Sequence, residues 1–447
     1  MISSSTPTTV AVLSADQLLV FLLQLASILA LAMAFGRLAA RLGMPAVVGE
    51  LLVGILLGPS LLLRLPTDLS GRFFPGGAEQ MHLLDAVAQI GVLLLVGVTG
   101  MHLDLDLVRR RGRTAVMVSG GGLIVPLGLG IGAAFLLPAG LSPKGADRVV
   151  FALFLGVAMC VSAIPVIAKT LMDMRLLHRN VGQLTLTAGV IDDVFGWFML
   201  SVVSSVAVAG VRGTVILQSL ASVAVVALIS LTAGRWAVRH TFRLVGLGNE
   251  PGPVVAAAVV LILLAAAATH ALRLEPILGA FLAGILIGRV GGIEPARLAP
   301  LRTIALSVLG PVFFATAGLR MDLGALLDPR IAVAGLGMLA VAIIGKFVGA
   351  WAGAKLSGLN RWEALALGAG LNARGVIEVT VAMVGLRLGI LSVPAYTIVV
   401  LIAVVTSLMA PPLLRLAMER VERTADEELR EARHREWSRL PDAVQSD

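Results

Sequence analysis

Two adjacent carboxylates, Asp192 and Asp193, lie in the middle of the apolar stretch AGVIDDVFGW, residues 188–197. Three more charged residues, Lys346, Arg374 and Glu378, lie in equally apolar surroundings. A charged side chain at the centre of a bilayer costs about 2.5–3.5 kcal/mol on insertion scales unless a partner or water compensates it. Charges retained in such a setting indicate an ion or proton pathway.

The spacing of these charges limits how they can pair. Consecutive helical positions point about 100° apart, so Asp192 and Asp193 cannot both face one partner. Only four of the 35 basic residues are lysines, and a desolvated lysine can lose its proton, whereas arginine effectively cannot. One carboxylate can therefore pair with Lys346 while the other faces a pathway. A purely structural ion pair is the alternative, and it leaves the second carboxylate uncompensated.

The elements that position these charges are predicted to be transmembrane helices. Of the 447 residues, 58% are hydrophobic and only 14% are charged, against about 25% charged in a soluble domain. The mean hydropathy is +0.96. No segment alternates like a strand of a membrane barrel. We count thirteen apolar segments of spanning length: 17–36, 44–63, 81–103, 114–138, 148–172, 181–204, 214–234, 252–271, 274–290, 300–319, 331–354, 362–386 and 392–414.

The distribution of Lys and Arg predicts the orientation. With the N-terminus outside, sixteen basic residues fall in the inner loops and nine in the outer loops. The C-terminus is then cytoplasmic, in the inner (plasma) membrane of the cell, and the first span is retained because no cleavable signal precedes it. The net charge of +8 follows from this bias, so we expect no nucleic-acid partner. The single cysteine, Cys160, excludes an intramolecular disulfide.

Two short motifs recur in the same order. GELLVGILLG (49–58) matches GAFLAGILIG (279–288), and GMHLDL (100–105) matches GLRMDL (318–323), at offsets of 230 and 218 residues. Glycine-rich helices can share such patterns by chance. Two matches in order instead favour a duplication, with six spans on each side of a linking span at 214–234. The halves would then be inverted repeats, an architecture that places a transport site near the midplane.

Two spans are predicted to be broken. Pro165 cannot donate to the carbonyl of Val161 and clashes with it, so the fifth span is interrupted there. The twelfth span carries Asn372 and Arg374 at membrane depth, where unwound backbone and half-helix ends supply ion ligands. A simple proline kink, together with an Arg374–Glu378 pair one turn apart, is the structural alternative.

The combination of these motifs resembles the monovalent cation:proton antiporters of the second family, the bacterial sodium/proton and potassium/proton exchangers. Besides the Asp pair and the Pro-broken fifth span, the resemblance rests on PAVVGELLVGILLGPS (45–60), IGVLLLVGVTGMHLDL (90–105), FFATAGLRMDL (313–323), GKFVG around Lys346 and NARGVIE (372–378). It extends from about residue 45 to 380, in the order found in the family.

The resemblance implies an all-α fold of 13 transmembrane helices, two inverted six-helix repeats joined by a linker helix, with two broken helices that cross. It implies a homodimer whose scaffold helices cover 17–103 and 252–319, and whose moving core helices cover 114–204 and 331–414. The linker helix covers 214–234. An extracellular N-terminus (1–16) and a charged cytoplasmic tail (419–447) flank the membrane domain of residues 17–418.

The resemblance also implies the residue roles. Asp193 would bind the cation and carry the proton, Asp192 would pair with Lys346, and Ser162 is the one hydroxyl carried over in the fifth span. An adjacent Asp pair goes with electrogenic exchange in this family. The expected function is therefore secondary antiport of Na+, or alternatively K+ or Li+, for protons by alternating access, with no enzymatic chemistry and no cofactor.

The same residues also bear on three other functional classes. An intramembrane aspartyl protease needs its two carboxylates on separate helices, so that they flank a water. A passive channel requires no titrating Asp pair beside a lysine. A proton-coupled exporter of a small organic ion on the same fold is the main alternative, and proton flux that responds to no alkali cation would favour it.

Two further features are interpreted structurally. Glu50 could be a gating acid, but it lies near a cytoplasmic span end where water, Arg37 or Arg41 could compensate it. The mixed charges of 419–439, spaced three and four apart, predict a solvated cytoplasmic helix. The glycines of SGGGLI (119–124) are interpreted as helix-packing residues and not as a phosphate loop.

Overall fold

The computed structural model describes residues 14–60, 78–101, 105–143, 145–176, 178–210, 213–245, 250–290, 295–425 and 427–428. Residues 1–13 of the segment predicted to be extracellular, residues 102–104 of the GMHLDL motif and the tail beyond 428 lie outside the described residues.

The described chain is built from helices that run through the predicted apolar segments, with one difference in bounds. In order they are α1 (Ala15–Arg41), α2 (Ala46–Leu57), α3 (Ala78–Met101), α4 (Leu105–Ala134), α5 (Arg148–Cys160), α6 (Ile164–Asp173), α7 (Asn180–Ala209), α8 (Gly213–Ile229), α9 (Arg235–Val245), α10 (Pro251–Ala271), α11 (Pro276–Val290), α12 (Pro295–Ile304), α13 (Gly310–Leu319), α14 (Pro329–Leu356), α15 (Arg361–Leu371), α16 (Val376–Arg387) and α17 (Val393–Met418). Five-residue π-helical turns, Ser230–Gly234 and Ala305–Leu309, join α8 to α9 and α12 to α13. The helix predicted at 214–234 continues through a π-helical turn to Val245, and the apolar stretch of spanning length there is Ala221–Val245.

Several helices begin where a polar side chain satisfies their first backbone N–H groups. Asp147 starts α5 and Asp328 starts α14 in this way, and Asn360 starts α15 with a capping box completed by Glu363. The three capping residues are exposed, whereas most of the apolar residues that follow them in α5 and α15 are buried within the protein.

The expectation of an all-helical membrane protein with many spans is confirmed. Within the described residues, nine helical segments are long and apolar enough to cross a membrane, and the pair α15–α16, bent by 46°, makes ten. Three shorter apolar helices, α2, α5 and α11, accompany them. The count of thirteen crossings stays a prediction.

Glycines allow very close helix packing, and the two sequence motifs do so in equivalent ways. A Cβ on Gly54 of α2 would clash with the carbonyl oxygen of Ala315 in α13. A Cβ on Gly284 of α11 would clash in the same way with the carbonyl oxygen of Gly97 in α3. The motif offsets relate Gly54 to Gly284, and Gly97 to Ala315. The α2–α13 and α3–α11 pairs thus repeat one packing contact.

Helices α4 and α14 meet at a contact that is reciprocal. A Cβ on Gly121 would clash with the carbonyl oxygen of Gly349, and a Cβ on Gly349 would clash with that of Gly121. Gly122, the next residue, lies beside the Lys346 side chain, since a Cβ there would be 3.8 Å from Nζ. The glycine contact therefore brings the lysine of α14 against α4. The packing role predicted for these glycines agrees with this arrangement.

The first part of the C-terminal tail is docked, which corrects the prediction of a solvated helix. The backbone is not helical between Glu422 and Thr424, and Glu427 is buried against the start of α7. Its carboxylate accepts hydrogen bonds from Arg179 Nε at 3.1 Å and the backbone N–H of Asn180 at 2.5 Å. The spacing of charges could not reveal this, because the partner residues are 248 positions apart.

Candidate functional site

The first broken span is interrupted just before its proline. Helix α5 ends at Cys160, the backbone of Val161 is extended, and α6 begins at Ile164 with Pro165 in its first turn. Proline is tolerated in the first turn because the N–H it lacks has no intrahelical partner there. The sequence therefore forms two half-helices at this point and not one kinked helix.

The second broken span has no proline, but it is interrupted as well. Helix α15 ends at Leu371, α16 begins at Val376, and Asn372 and Arg374 lie in the break, both fully buried. Within the described residues, neither amide atom of Asn372 has a hydrogen-bond partner.

The two breaks cross and hydrogen-bond to each other. The backbone N–H of Ala163 donates to the carbonyl of Ala373 at 3.1 Å. The hydroxyl of Ser162 lies 2.7 Å from the carbonyl oxygen of Leu371. These bonds satisfy backbone groups that unwinding leaves open, as membrane burial requires.

Asp192 lies at this crossing with three polar partners. Its carboxylate is 2.6 Å from Lys346 Nζ, 2.6 Å from the Ser162 hydroxyl and 2.5 Å from the Ser119 hydroxyl. All four side chains are buried, and those of Asp192 and Lys346 are fully so. The single proton of Ser162 can serve either Asp192 or the carbonyl of Leu371 at one time.

Asp193 lies one residue further along α7 and has far fewer partners. Its Oδ1 accepts one long contact, 3.4 Å from the backbone N–H of Ile164. Its Oδ2 has no hydrogen-bond partner within the described residues, although the side chain is 1% exposed. Ile164 opens α6, so this carboxylate faces the positive end of a half-helix dipole. Of the two adjacent aspartates, Asp193 is thus the one with an oxygen that has no partner within the described residues; Glu378 Oε2 at the second break has none there either.

Two cations cap the negative end of α5. Arg374 donates to the carbonyls of Ala158 at 3.0 Å and Met159 at 2.7 Å, and Lys346 donates to that of Cys160 at 2.7 Å. Positive charge at a helix C-terminus interacts favourably with the dipole. Arg374 also pairs with Glu378 of α16 at 3.3 Å, as the structural alternative for this span proposed.

The structure separates the predicted site residues into two groups. Those that meet at the crossing, through side chain or backbone, are Val161, Ser162, Pro165, Asp192, Asp193, Lys346, Asn372, Arg374 and Glu378. Glu50 is not among them: it lies in α2 beside Gly36 of α1, where a Cβ would be 3.6 Å from its Oε1. Its gating role stays a prediction.

Sequence reasoning missed Ser119 and Ser407. Ser119 was interpreted only as part of a glycine-rich packing segment, yet its hydroxyl contacts Asp192. Ser407 of α17 donates to the carbonyl of Arg374 and so supports the second break. A signal for Ser119 was available, because it is a polar residue two positions before the glycine that packs α4 against α14.

The arrangement can hold a small monovalent cation as substrate but contains no multidentate cluster. Within the described part of the chain, no group of three or more His, Cys, Asp or Glu residues could hold a metal ion. A ligand at Asp193 would have one carboxylate, backbone groups of the breaks and water available. Such a sparse, mixed oxygen set suits weak and reversible binding, which transport requires.

A helical membrane protein with two discontinuous helices that cross at buried charges belongs to the class of secondary transporters. Comparison with known proteins identifies the family within this class. The sodium/hydrogen exchanger transmembrane family model matches residues 26–420, and the chain belongs to that family.

Individual relatives agree with the family. The chain is 31% identical over 405 residues to the Na(+)/H(+) antiporter NhaS4 of Synechocystis, covering 89% of this chain and 97% of that one. It is 28% identical to Cation/H(+) antiporter 18 of Arabidopsis thaliana over 91% of its length, but spans only 50% of that longer protein. The solved structure of the sodium proton antiporter MjNhaP1 from Methanocaldococcus jannaschii matches the fold with a TM-score of 0.62 at 17% identity. That match covers 90% of this chain and 99% of the other.

Proposed function

We propose that this protein exchanges a monovalent cation, Na+ in the first instance, for protons by alternating access across the cell's inner membrane. The observation that carries the proposal is the unequal partnering of Asp192 and Asp193. Asp192 is held by Lys346 and two hydroxyls, whereas Asp193 has an oxygen with no partner within the described residues. NhaS4, which this chain resembles over nearly its whole length, is named for Na+/H+ antiport.

Competition at Asp193 would couple the two fluxes. A carboxylate without water is stabilised either by a proton or by a cation, and one oxygen cannot hold both at once. Moving an ionised, empty Asp193 past the apolar barrier would cost too much free energy. The core would therefore move only when a cation or a proton occupies Asp193. Each passage then exchanges one kind of ion for the other, and no catalytic chemistry is involved.

Lys346 would add charge coupling to this cycle. Its ammonium is within 2.6 Å of Asp192, so an ion that displaces Asp192 removes the partner that keeps Lys346 protonated. A proton released at that step would make the exchange electrogenic. The Ser162 hydroxyl would hold Asp192 at the crossing. It also contacts the carbonyl oxygen of Leu371, so a movement of the second break would change its contact with Asp192.

We further propose thirteen crossings arranged as two inverted repeats. In support, the short helices α2, α5 and α11 fall at predicted spans, and the α2–α13 and α3–α11 glycine contacts correspond under the motif offsets. The core helices (114–204 and 331–414) would move against the scaffold (17–103 and 252–319), with the N-terminus outside and the C-terminus in the cytoplasm. The functional unit would be a homodimer, as the family resemblance implies.

The deciding experiment is cation-dependent proton flux in proteoliposomes that enclose a pH dye. We expect Na+, and more weakly another alkali cation, to dissipate an imposed pH gradient over several pH values. Proton flux that no alkali cation changes would overturn the proposal and favour an exporter of a small organic ion. Asp193→Asn in the same preparation is the control, because it keeps the shape of the site and removes the charge.

A further inference from the structure

The half of α7 that runs from Asp193 to Ala209 carries a row of buried polar groups that the site does not use. Beyond Asp193 Oδ2, these are Trp197 Nε1, Ser201 Oγ and Ser204 Oγ. None has a hydrogen-bond partner within the described residues, and the four side chains are only 0–4% exposed. We refer to Trp197, Ser201 and Ser204 as the α7 stripe.

The α7 stripe lies on one face of the helix. Counting from Asp193, its three members follow at intervals of four, four and three residues. Asp193 and the three stripe side chains therefore lie within about 80° of arc around the helix axis. The row is about 16 Å long, from Asp193 near the middle of α7 to Ser204 near its end. That length is about half of the ~30 Å of hydrocarbon in a bilayer. Because Asp193 is predicted to lie near the midplane, a row of this length would reach from it to one membrane surface.

Hydroxyls in the other half of α7 behave differently. Thr185 donates to the carbonyl of Val181 at 2.7 Å, and Thr187 donates to that of Gln183 at 2.7 Å. A serine hydroxyl in a helix can likewise donate to the backbone carbonyl four residues earlier. Ser201 and Ser204 do not, so their hydroxyls are available to another partner.

The chemistry of the stripe identifies that partner as water around a passing ion. The indole N–H of Trp197 is a donor only, so it cannot bind a cation directly but can bond a water oxygen. Serine hydroxyls donate and accept, and can therefore bond either water or a cation. The Trp197 ring packs against Phe281 of α11, with 6.2 Å between ring centroids. Phe281 belongs to the proposed scaffold, so movement of the core would open this row to water.

We propose that the α7 stripe lines the aqueous route by which the cation and protons reach Asp193 from the side of the membrane opposite the C-terminal tail. The route rests on the exchange function proposed above and adds the residues through which one side gains access. When the core moves away from α11, water enters along Ser204 and Ser201, and Trp197 orients the last water before the carboxylate.

Thiol labelling tests the route directly. The variants Ser201→Cys and Ser204→Cys are made in the natural chain, whose single cysteine, Cys160, is fully buried. A membrane-impermeant methanethiosulfonate reagent is added to one side of proteoliposomes during exchange, and an epitope after Asp447 reports orientation. The matched control is Val202→Cys, which is equally internal but points about 100° away from Ser201.

We expect both serine variants to be labelled from the side opposite the epitope, at rates at least about tenfold above the Val202→Cys variant and the natural chain. Labelling that is equal in the control, or that occurs only from the epitope side, overturns the route. The exchange assay on the unlabelled natural chain separates the two hypotheses. No exchange overturns the proposed function, whereas normal exchange with unreactive stripe cysteines overturns the route alone.

Transport kinetics give a second test that does not depend on cysteine reactivity. Ser201→Ala and Ser204→Ala each remove one polar contact, which should raise the cation concentration for half-maximal rate about three- to tenfold on that side only. The value on the epitope side should not change. Thr187→Val, which removes a hydroxyl already bonded within α7, is the control and should leave both values unchanged. Equal increases on both sides would show a general defect and contradict the route.

Discussion

Removal of Lys346 should destabilise the protein much more than removal of both members of its ion pair. Lys346 Nζ is 2.6 Å from Asp192 and 2.7 Å from the Cys160 carbonyl, with no solvent exposure of either charged side chain. In Lys346→Gln the Asp192 carboxylate keeps two hydroxyls but loses its counter-charge. Breaking a buried pair on one side costs about 3–5 kcal/mol, because an uncompensated charge is left behind.

The double variant Lys346→Gln with Asp192→Asn should recover most of that loss. Two neutral amides can bond each other and the Ser119 and Ser162 hydroxyls, and replacing both ions of a buried pair is often nearly neutral. We therefore expect the single variant to unfold roughly 6–10 °C below the natural protein, at about 2 °C per kcal/mol for a large chain, and the double variant to lie between them.

The assay is thermal unfolding in detergent, followed by tryptophan fluorescence and by loss of the monodisperse fraction. Lys355→Gln is the matched control on the same helix, since this lysine is exposed and its removal should change stability by no more than about 0.5 kcal/mol. A Lys346→Gln variant as stable as the double variant would refute the reasoning. It would mean that Asp192 is compensated by the hydroxyls and helix dipoles alone.

The remaining predictions concern single exchanges of charge. Asp193→Asn should abolish exchange of every cation in the liposome assay, whereas Asp192→Asn should retain some exchange with altered charge coupling; wild-type rates in the first variant would contradict the assignment. Lys346→Arg should still exchange but lose its dependence on a valinomycin-clamped potential, because arginine does not release a proton. Glu427→Gln should lower the thermal midpoint at neutral pH and leave exchange measurable. Burial raises the pKa of Glu427, but hydrogen bonds from Asn180, Thr424 and Arg179 outweigh it and hold the pKa below its ordinary 4.5. The stabilisation is therefore present above about pH 4.5 and should disappear as the pH falls through the lowered pKa; a stability gap between natural and variant protein that persists in acid would contradict this.

The positions of the site residues along the chain could be predicted, but their contacts could only partly be predicted. The free-energy cost of charge in an apolar segment was enough to single out Asp192, Asp193 and Lys346. The divergence of adjacent helical positions showed that one aspartate alone could reach the lysine. Which aspartate it is depends on the rotation of α7 relative to α14. The reciprocal glycine contact places Lys346 of α14 against α4, and Ser119 of α4 contacts Asp192. No local sequence pattern encodes that arrangement of three helices.

The hydroxyls and the tail show a different limit of sequence reasoning. Ser119 and Ser201 are small residues in helices. Their positions in the sequence do not reveal whether their side chains only pack against a neighbouring helix or form hydrogen bonds. Glu427 follows a charge pattern typical of a solvated helix, yet it is buried against Arg179. Both outcomes depend on distant partners, and only the assembled structure brings those partners within hydrogen-bond distance.

The balance of charge at the crossing connects the geometry to the stoichiometry of exchange. With every group in the form it takes in neutral water, Lys346 and Arg374 supply two positive charges, and Asp192, Asp193 and Glu378 supply three negative ones. The empty site then carries one net negative charge, which a single bound cation or a single proton at Asp193 would neutralise. That competition alone gives one-for-one, electroneutral exchange.

An electrogenic cycle needs a second proton, and Arg374 cannot supply it because arginine stays protonated. In the proposed cycle, Lys346 would release that proton when its contact with Asp192 breaks. The charge moved per cycle would then depend on this 2.6 Å ion pair and not on the carboxylate proposed to bind the cation.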